Sequence, residues 1–522
     1  MKFSPLLTRI CFGTLVLVQF LAFLVIPSVG AKVFLSPDET ANAVVARNFG
    51  LHGTMRIENP VSLIAPWVHP RSFISQQEFI VPVGFVGLPA IVGSLWRLFG
   101  DWALVLFTPL LVLSVIIPLW KWCAQLGRPA QMAAVLVWLS YPGVIVYANR
   151  GLFPNLVVVC FMVWSVYLLS RAQSSVRRSL WLIGSGVLFG LAMMVRPVEF
   201  AWMIPWIALA AFYWRTPGSN LRDRLMSGLW WLIGFFPCLL LLFFLNWHAY
   251  GSPLAVGYLL SEAGGSLSIS VTSISPPSLL PFGFHPRNVL FNVREYVFGY
   301  LSPWFLMTAL GAVLSWKYRV ARPFVILSIW TFVVVSLMYG QGIYQDHVGI
   351  NVVSMGNSFI RYILPLVPFI ALAAAVCVRA LFQKRSQWGR AAACVGIALL
   401  VGMGNWMALS RDQEGMILSA TELVRYQAIR ETAQETLPND TIVLSERSDK
   451  IFFPVFRAAS PLPEKWFIKD LVRNAGAPVA LFSSVLDPAH IEPWTAEDLF
   501  LRPIFQVDKQ MMYIVTTSST KP

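Results

Sequence analysis

The sequence predicts an α-helical protein that crosses a membrane about eleven times, with interfacial helices on the outer face and a small α/β domain at its C-terminus. Three observations carry that prediction. Of the 522 residues, 57% are hydrophobic and 12% charged, about half the charge of an average soluble protein, and mean hydropathy is +0.66. Apolar runs of about 20 residues, long enough to cross a hydrocarbon core of ~30 Å, recur from the N-terminus to residue 408. The third observation is where the charge sits. Lys2, Arg9 and the polar breaks at 121–128, 171–178, 215–224, 317–322 and 379–390 hold 17 basic residues against one acid, Asp223. With a formal charge of +14, the rest of the chain nets −2. One face of the membrane holds the surplus; by the positive-inside rule it is cytoplasmic and carries the N-terminus. The surplus marks topology and not nucleic acid, because no basic face or stacking module accompanies it.

The elements follow in chain order. Residues 10–29 form the first span behind Lys2 and Arg9; the run is longer than the core of a signal peptide, so it is expected to stay as an anchor despite a Val29-Gly30-Ala31 ending. The polar stretch 30–78 then lies outside. Residues 79–98 are apolar but broken by Pro82, Gly84, Gly87 and Pro89. Crossing there would place Lys121 and Arg128 outside, so 79–98 is expected to be interfacial or re-entrant. Further spans are expected near 102–120, 131–148, 155–170, 180–195, 198–214, 226–248, 296–315, 323–340, 361–381 and 391–408. Outer loops remain at 249–294 and 341–360, the first rich in Gly, Ser and Pro and expected to act as a lid. From 409 the composition changes to 12 basic and 15 acidic residues with short apolar runs. Helical patterns at 420–437 and 465–475 alternate with strand patterns at 441–444, 479–483 and 511–516, an α/β domain. The domains are thus 1–408 in the membrane and 409–522 outside it. The six cysteines lack metal-ligand spacing and read as small buried hydrophobes.

In this topology all six histidines, and every acid of the membrane region except Asp223, fall on the outer side. Ionisable groups near the membrane tend to be functional, so chemistry should face outward. The sharpest local signal is Ser36-Pro37-Asp38-Glu39-Thr40. Ser36 suits a helix N-cap, Pro37 its first position, and Glu39 a capping box. An amphipathic interfacial helix follows over 41–49. Asp38 reads equally as an acid satisfying the helix dipole or as a functional group. Arg361-Tyr362 opening a span, Arg196 in Met194-Val195-Arg196-Pro197, and Arg71 after His69-Pro70 are candidates to hold an anionic lipid head, or to snorkel to the headgroups. No Walker loop, helix-opening GxGxxG, HExxH or GxSxG in a strand–turn–helix context is present.

Taken together, the pieces resemble the GT-C superfamily of membrane glycosyltransferases that use polyprenyl-phosphate sugars. Within it, the chain resembles the branch containing protein O-mannosyltransferases and the aminoarabinose transferase of lipid A. The resemblance covers most of the chain: a first span followed by Asp38-Glu39, the Leu98-Phe99-Gly100-Asp101 junction, Gly190-Leu191-Ala192 leading to Arg196-Pro197, Arg361-Tyr362 with Pro365 and Pro368, and an outer C-terminal α/β domain. It implies inverting transfer of a sugar from a polyprenyl-phosphate donor to an acceptor on the outer face of a cell membrane, a bacterial inner membrane. Asp38, with Glu39 beside it, would be or orient the general base, and outer cations would stabilise the departing lipid phosphate. Asn155, in Gly151-Leu152-Phe153-Pro154-Asn155, stands where many relatives carry a second acid. The departure leaves open a divalent cation as cofactor and any sharing of the base function, for which His69 or His347 would be substitutes. Two other classes remain: a transporter or flippase of lipid-linked sugars, which should show repeat halves and mid-membrane charges, and a non-catalytic scaffold.

Overall fold

The computed structural model describes residues 5–173, 175–213, 220–262, 282–316, 322–344, 353–383, 386–411 and 414–518. The expected lid at 249–294 falls partly outside them, and His347 wholly so. The chain forms two compact units. The first comprises Met1–Ser28, Val105–Leu241 and Ile274–Ser419; the second comprises Val29–Leu104, Leu242–Ser273 and Ala420–Pro522.

Apolar helices build the first unit. Among the described residues of the whole chain, seven helices are long and apolar enough to cross a membrane, or nine if two bent pairs each count as one span. Arg9–Ala22 and Pro197–Phe212 are shorter apolar helices. One bent pair joins Arg128–Ser140 to Pro142–Asn149 at 53°. Pro142 cannot donate a backbone hydrogen bond, and it holds Tyr141 in an extended conformation (φ −61°, ψ 127°). In the other pair, Pro286–Tyr300 meets Ser302–Trp316 at 90°, after a π-helical stretch over Val293–Tyr300. The span expected near 296–315 thus starts on the π-helical stretch and turns by 90° before Ser302, a bend that hydropathy does not register.

Small residues let these helices approach closely, the packing that lipid-embedded helices favour. A Cβ on Gly186 would stand 2.0 Å from the Trp231 carbonyl oxygen, and one on Gly234 2.1 Å from that of Ile183. The helices Arg178–Val195 and Leu221–Tyr250 therefore cross backbone to backbone. Between Pro154–Ala172 and Arg178–Val195, Ser165 Oγ donates to the Ser185 carbonyl at 2.8 Å and Ser185 Oγ to the Ser165 carbonyl at 2.9 Å.

The second unit contains two sheets. A three-stranded antiparallel sheet has the order β1-β3-β2, from β1 (Ile57–Glu58), β2 (Phe73–Gln76) and β3 (Phe79–Pro82). The stretch 79–98, expected to be interfacial or re-entrant, divides into two elements: its first four residues pair as a strand, and the helix Gly87–Phe99 follows. Pro82 is the last residue of the strand, paired with Phe73, and Gly84 lies in the bend that follows it.

The C-terminal sheet comprises β4 (Ile442–Ser445), β5 (Arg457–Ala459), β6 (Val479–Ser484), β7 (Phe500–Val507) and β8 (Gln510–Thr516), in the order β5-β4-β6-β8-β7. Strands β5, β4 and β6 run parallel, and the hairpin β7–β8 is antiparallel. Its core joins Ile442, Leu444, Leu481 and Val515 to Ile468 and Leu471 of the helix Lys465–Asn474, and to Val61, Ala65 and Val68 from the segment after the first span. This segment and the C-terminal region therefore share one hydrophobic core.

Arg430, on the helix Met416–Thr436, ties the second unit internally. Its guanidinium donates to the carbonyls of Lys32 at 2.6 Å and Phe453 at 2.9 Å, and to that of Ile451. Burial, and then the charge of Arg47, pull its pKa down to about 10.

Candidate functional site

The helix Pro37–His52 opens as the sequence predicts. Ser36 is the N-cap, with Oγ accepting from the Glu39 amide at 3.2 Å, and Pro37 occupies the first turn. Ser36 Oγ also donates to Glu39 Oε2 at 2.9 Å, so the Glu39 carboxylate serves the cap and is itself buried. Asp38 is more open, and its Oδ1 accepts from Ser72 Oγ at 2.8 Å. The helix is not a free interfacial one: Ala41, Ala43, Val45 and Ala46 are buried. It crosses Gly87–Phe99 at Gly93, where an added Cβ would meet the Ala46 carbonyl oxygen at 2.5 Å.

Arg71 and His69 lie in the same unit as Asp38. Arg71 is held by Asp449: its backbone amide and Nε donate to the two carboxylate oxygens at 3.0 and 2.9 Å, and Nη2 stands 2.7 Å from Oδ1. Nη2 also donates to the Arg447 carbonyl at 2.6 Å. The Asp449 side chain is 1% exposed. Neighbouring Lys450 donates from Nζ to the Leu35 carbonyl at 2.6 Å and lies 5.1 Å from the Tyr426 ring centroid. His69 Nδ1 stands 3.0 Å from the Pro70 carbonyl. Burial lowers its pKa, with the Pro70 bond and the Asp449 charge opposing. Asp101 accepts from Arg47 at 2.9 Å and Trp96 at 2.8 Å. Partial burial raises its pKa, yet these bonds and the Arg47 charge bring it below the usual carboxylate value.

The remaining candidates gather in the first unit. Pro197 stops the helix Arg178–Val195, and Arg196 leaves it at φ −151°, ψ 85°. The Arg196 guanidinium then reaches Glu199 Oε1 at 3.0 Å, Asn155 Oδ1 at 3.2 Å and the Tyr339 hydroxyl at 3.2 Å. The Tyr339 hydroxyl donates to Glu199 Oε1 at 2.9 Å, and Trp202 Nε1 to Glu199 Oε2. Tyr339 and Tyr362 stack with centroids 4.1 Å apart, and the Arg196 guanidinium lies 5.5 Å from the Tyr362 ring. Arg361 is placed beside them. Its guanidinium stands 4.8 Å from the Phe153 ring, which Arg150 approaches at 4.7 Å.

Three guanidiniums thus surround the start of the helix Pro154–Ala172, whose dipole adds partial positive charge. Asn155 therefore works here as a carbonyl acceptor for Arg196. Arg150, Glu199 and Tyr339 were not among the sequence candidates. Glu199, an acid just past the Arg196-Pro197 helix stop, was the one signal available for them. Among the described residues, no three His, Cys, Asp or Glu side chains gather as a metal site.

Comparison with solved structures decides the fold. The apo crystal structure of ArnT from Cupriavidus metallidurans matches over 99% of this chain and 100% of that chain, with TM-score 0.57 and 14% identity. ArnT from Cupriavidus metallidurans bound to undecaprenyl phosphate matches with TM-score 0.54, 12% identity and the same coverage. The chain has the fold of ArnT. Residues 88–247 also match the model of the dolichyl-phosphate-mannose-protein mannosyltransferase family, a segment that holds Asn155 and Arg196. The archaeal oligosaccharyltransferase AglB from Archaeoglobus fulgidus, in complex with an inhibitory peptide and a dolichol-phosphate, aligns at TM-score 0.48 and 11% identity, over 99% of this chain and 75% of that one. No curated protein matches the sequence. The ArnT-like fold and the apolar helices make the chain a multi-pass membrane protein.

Proposed function

We propose that the chain transfers a sugar from a polyprenyl-phosphate donor to an acceptor on the extracytoplasmic face, with inversion. The observation carrying this reading is the full-length likeness to a transferase fold, one of whose structures is described as bound to undecaprenyl phosphate. The acceptor hydroxyl or amine attacks the anomeric carbon. As that bond forms, the bond from the anomeric carbon to the phosphate oxygen breaks, and the lipid phosphate leaves with the electron pair. The acceptor proton passes to Asp38, or to a group that Asp38 orients.

Two features support these roles. Ser72 Oγ donates to Asp38 Oδ1 at 2.8 Å, which orients the carboxylate at the opening of its helix. The guanidiniums of Arg150, Arg196 and Arg361 concentrate positive charge within the first unit, and charge of this kind stabilises a departing phosphate most in the transition state. Arg71, engaged by Asp449, is assigned to positioning the segment that carries Ser72. The transporter and scaffold alternatives have no comparable support.

The test uses purified protein, radiolabelled polyprenyl-phosphate sugar and membrane extract. Asp38→Asn should keep donor binding and lose transfer by about 10²–10⁴-fold, the range of general-base catalysis. Full transfer by this variant would remove Asp38 from the mechanism. Arg361→Ala should weaken donor binding; unchanged affinity would assign Arg361 to packing on Phe153.

A further inference from the structure

Within the first unit, the helices Ser302–Trp316, Val367–Gln383 and Gln387–Leu409 enclose a groove of about 720 Å³. Its wall is almost wholly apolar and partly made of small residues, among them Met307, Cys377, Leu381, Ala393, Gly396 and Met403. The groove follows Gln387–Leu409 from Ala392 to Met403, about 16 Å at 1.5 Å per residue. That length is roughly one leaflet of a ~30 Å hydrocarbon core. One acyl chain of a phospholipid fits it; a polyprenyl chain of many isoprene units would outrun it.

One end of the groove is flanked in sequence by a cluster of basic residues. At the Leu381–Ala392 end, Arg379 donates to the Gln125 carbonyl at 2.6 Å, which places it beside the segment leading to Arg128. Arg390 is exposed on the first turn of Gln387–Leu409, and Lys384 and Arg385 lie between them in sequence. The sequence has no Asp or Glu over 102–198 or 353–411, which include the segments carrying these cations. Arg361 stands at the opposite end of the span Ser358–Gln383, so this basic end is separate from the guanidiniums assigned to the donor phosphate.

We propose that the groove is a structural site for one anionic phospholipid: an acyl chain lies against Gly396 and Met403, and the headgroup phosphate is held by Arg379 and Arg390. A basic pocket between membrane helices is the arrangement that recognises anionic headgroups. The apolar wall supplies affinity, and the charged end supplies selection.

The glycines make the proposal testable. A Cβ on Gly396 or Gly402 meets nothing within 4 Å, so the side chain of Gly396→Leu starts in open space and is directed at filling the groove. The full chain is purified in detergent, delipidated, and offered phosphatidylglycerol or phosphatidylcholine. Occupancy is read by native mass spectrometry and stability by thermal denaturation. Phosphatidylglycerol should bind one per chain and raise the midpoint by several degrees, and phosphatidylcholine should do neither.

Gly396→Leu, or Gly402→Leu should the first fail to fold, should cut occupancy at least tenfold. Arg390→Gln should retain lipid but lose the preference for the anionic head. Equal binding of both lipids by the unmodified protein would overturn the proposal, as would retention of phosphatidylglycerol by the filled variants. Competition by undecaprenyl phosphate for the same site would make the groove a donor-tail site instead. A concentration-dependent dimer abolished by Gly396→Leu would make it an interface between copies.

Discussion

At the level of single residues, Arg71 and Asp449 show how a sequence candidate can be absorbed into structure. Arg71 follows His69-Pro70 and resembled a lipid-head ligand, because nothing local reveals a partner 378 positions away. With the Asp449 side chain buried and bonded through both oxygens, removing the cation leaves an uncompensated charge. Arg71→Ala should therefore cost about 3–5 kcal/mol, read as a large drop in thermal midpoint. Arg71→Lys should recover only part of it, since an ammonium cannot reproduce the paired geometry. An unchanged midpoint for Arg71→Ala would return the residue to the list of free ligands.

His69 makes a second prediction. Its folded pKa lies below the ordinary 6.5, chiefly because burial disfavours the charged ring. Above 6.5 neither folded nor unfolded chain is protonated there, and the contribution is fully present. As pH falls through 6.5 the unfolded chain takes up the proton first, and stability declines by at most about 1.4 kcal/mol per pH unit. The midpoint should fall between pH 7 and pH 5.5, and His69→Gln should flatten that slope. The cap at Ser36 was legible, because a capping signature is local; the Arg196–Glu199–Tyr339 network, which with Asn155 joins three segments, was not.

At the level of elements, the spans were legible wherever length and hydropathy define them, as in Pro154–Ala172 and Gln387–Leu409. Strand β7 was missed because Pro503 argues against a strand, and it survives here as the sheet edge, with its register shifting between Pro503 and Phe505. Strand β5 has three residues, too few to show a period. The crossing at Gly186 and Gly234 gives a direct test. Gly234→Ala places a methyl 2.1 Å from the Ile183 carbonyl oxygen, so the two helices must part. Monodisperse material in size-exclusion chromatography should be largely lost. Gly228→Ala, on the same helix and with open space around its Cβ, should behave as the unmodified protein. Equal behaviour of the two variants would show that the crossing tolerates separation.

Across the whole chain, composition alone reveals a membrane protein, and the order of short pieces reveals the kind of fold. What sequence could not show is that residues 29–104 and 420–522 belong to one compact unit, because such pairing rests on contacts such as Val61 and Val68 with Ile442 and Leu481. The distribution of basic residues makes a prediction at this scale. Alkaline phosphatase fused after Pro522 should be active and a fusion after Arg390 inactive, since the enzyme matures only outside the cytoplasm; the reverse pattern would invert the orientation. The glycine crossing also limits how the protein can move. Two rods touching along bare backbone have no cushion of side chains to rearrange, so neither can advance by a residue without collision. Arg178–Val195 and Leu221–Tyr250 must then travel as one body, and any opening that admits a bulky substrate has to come from other segments.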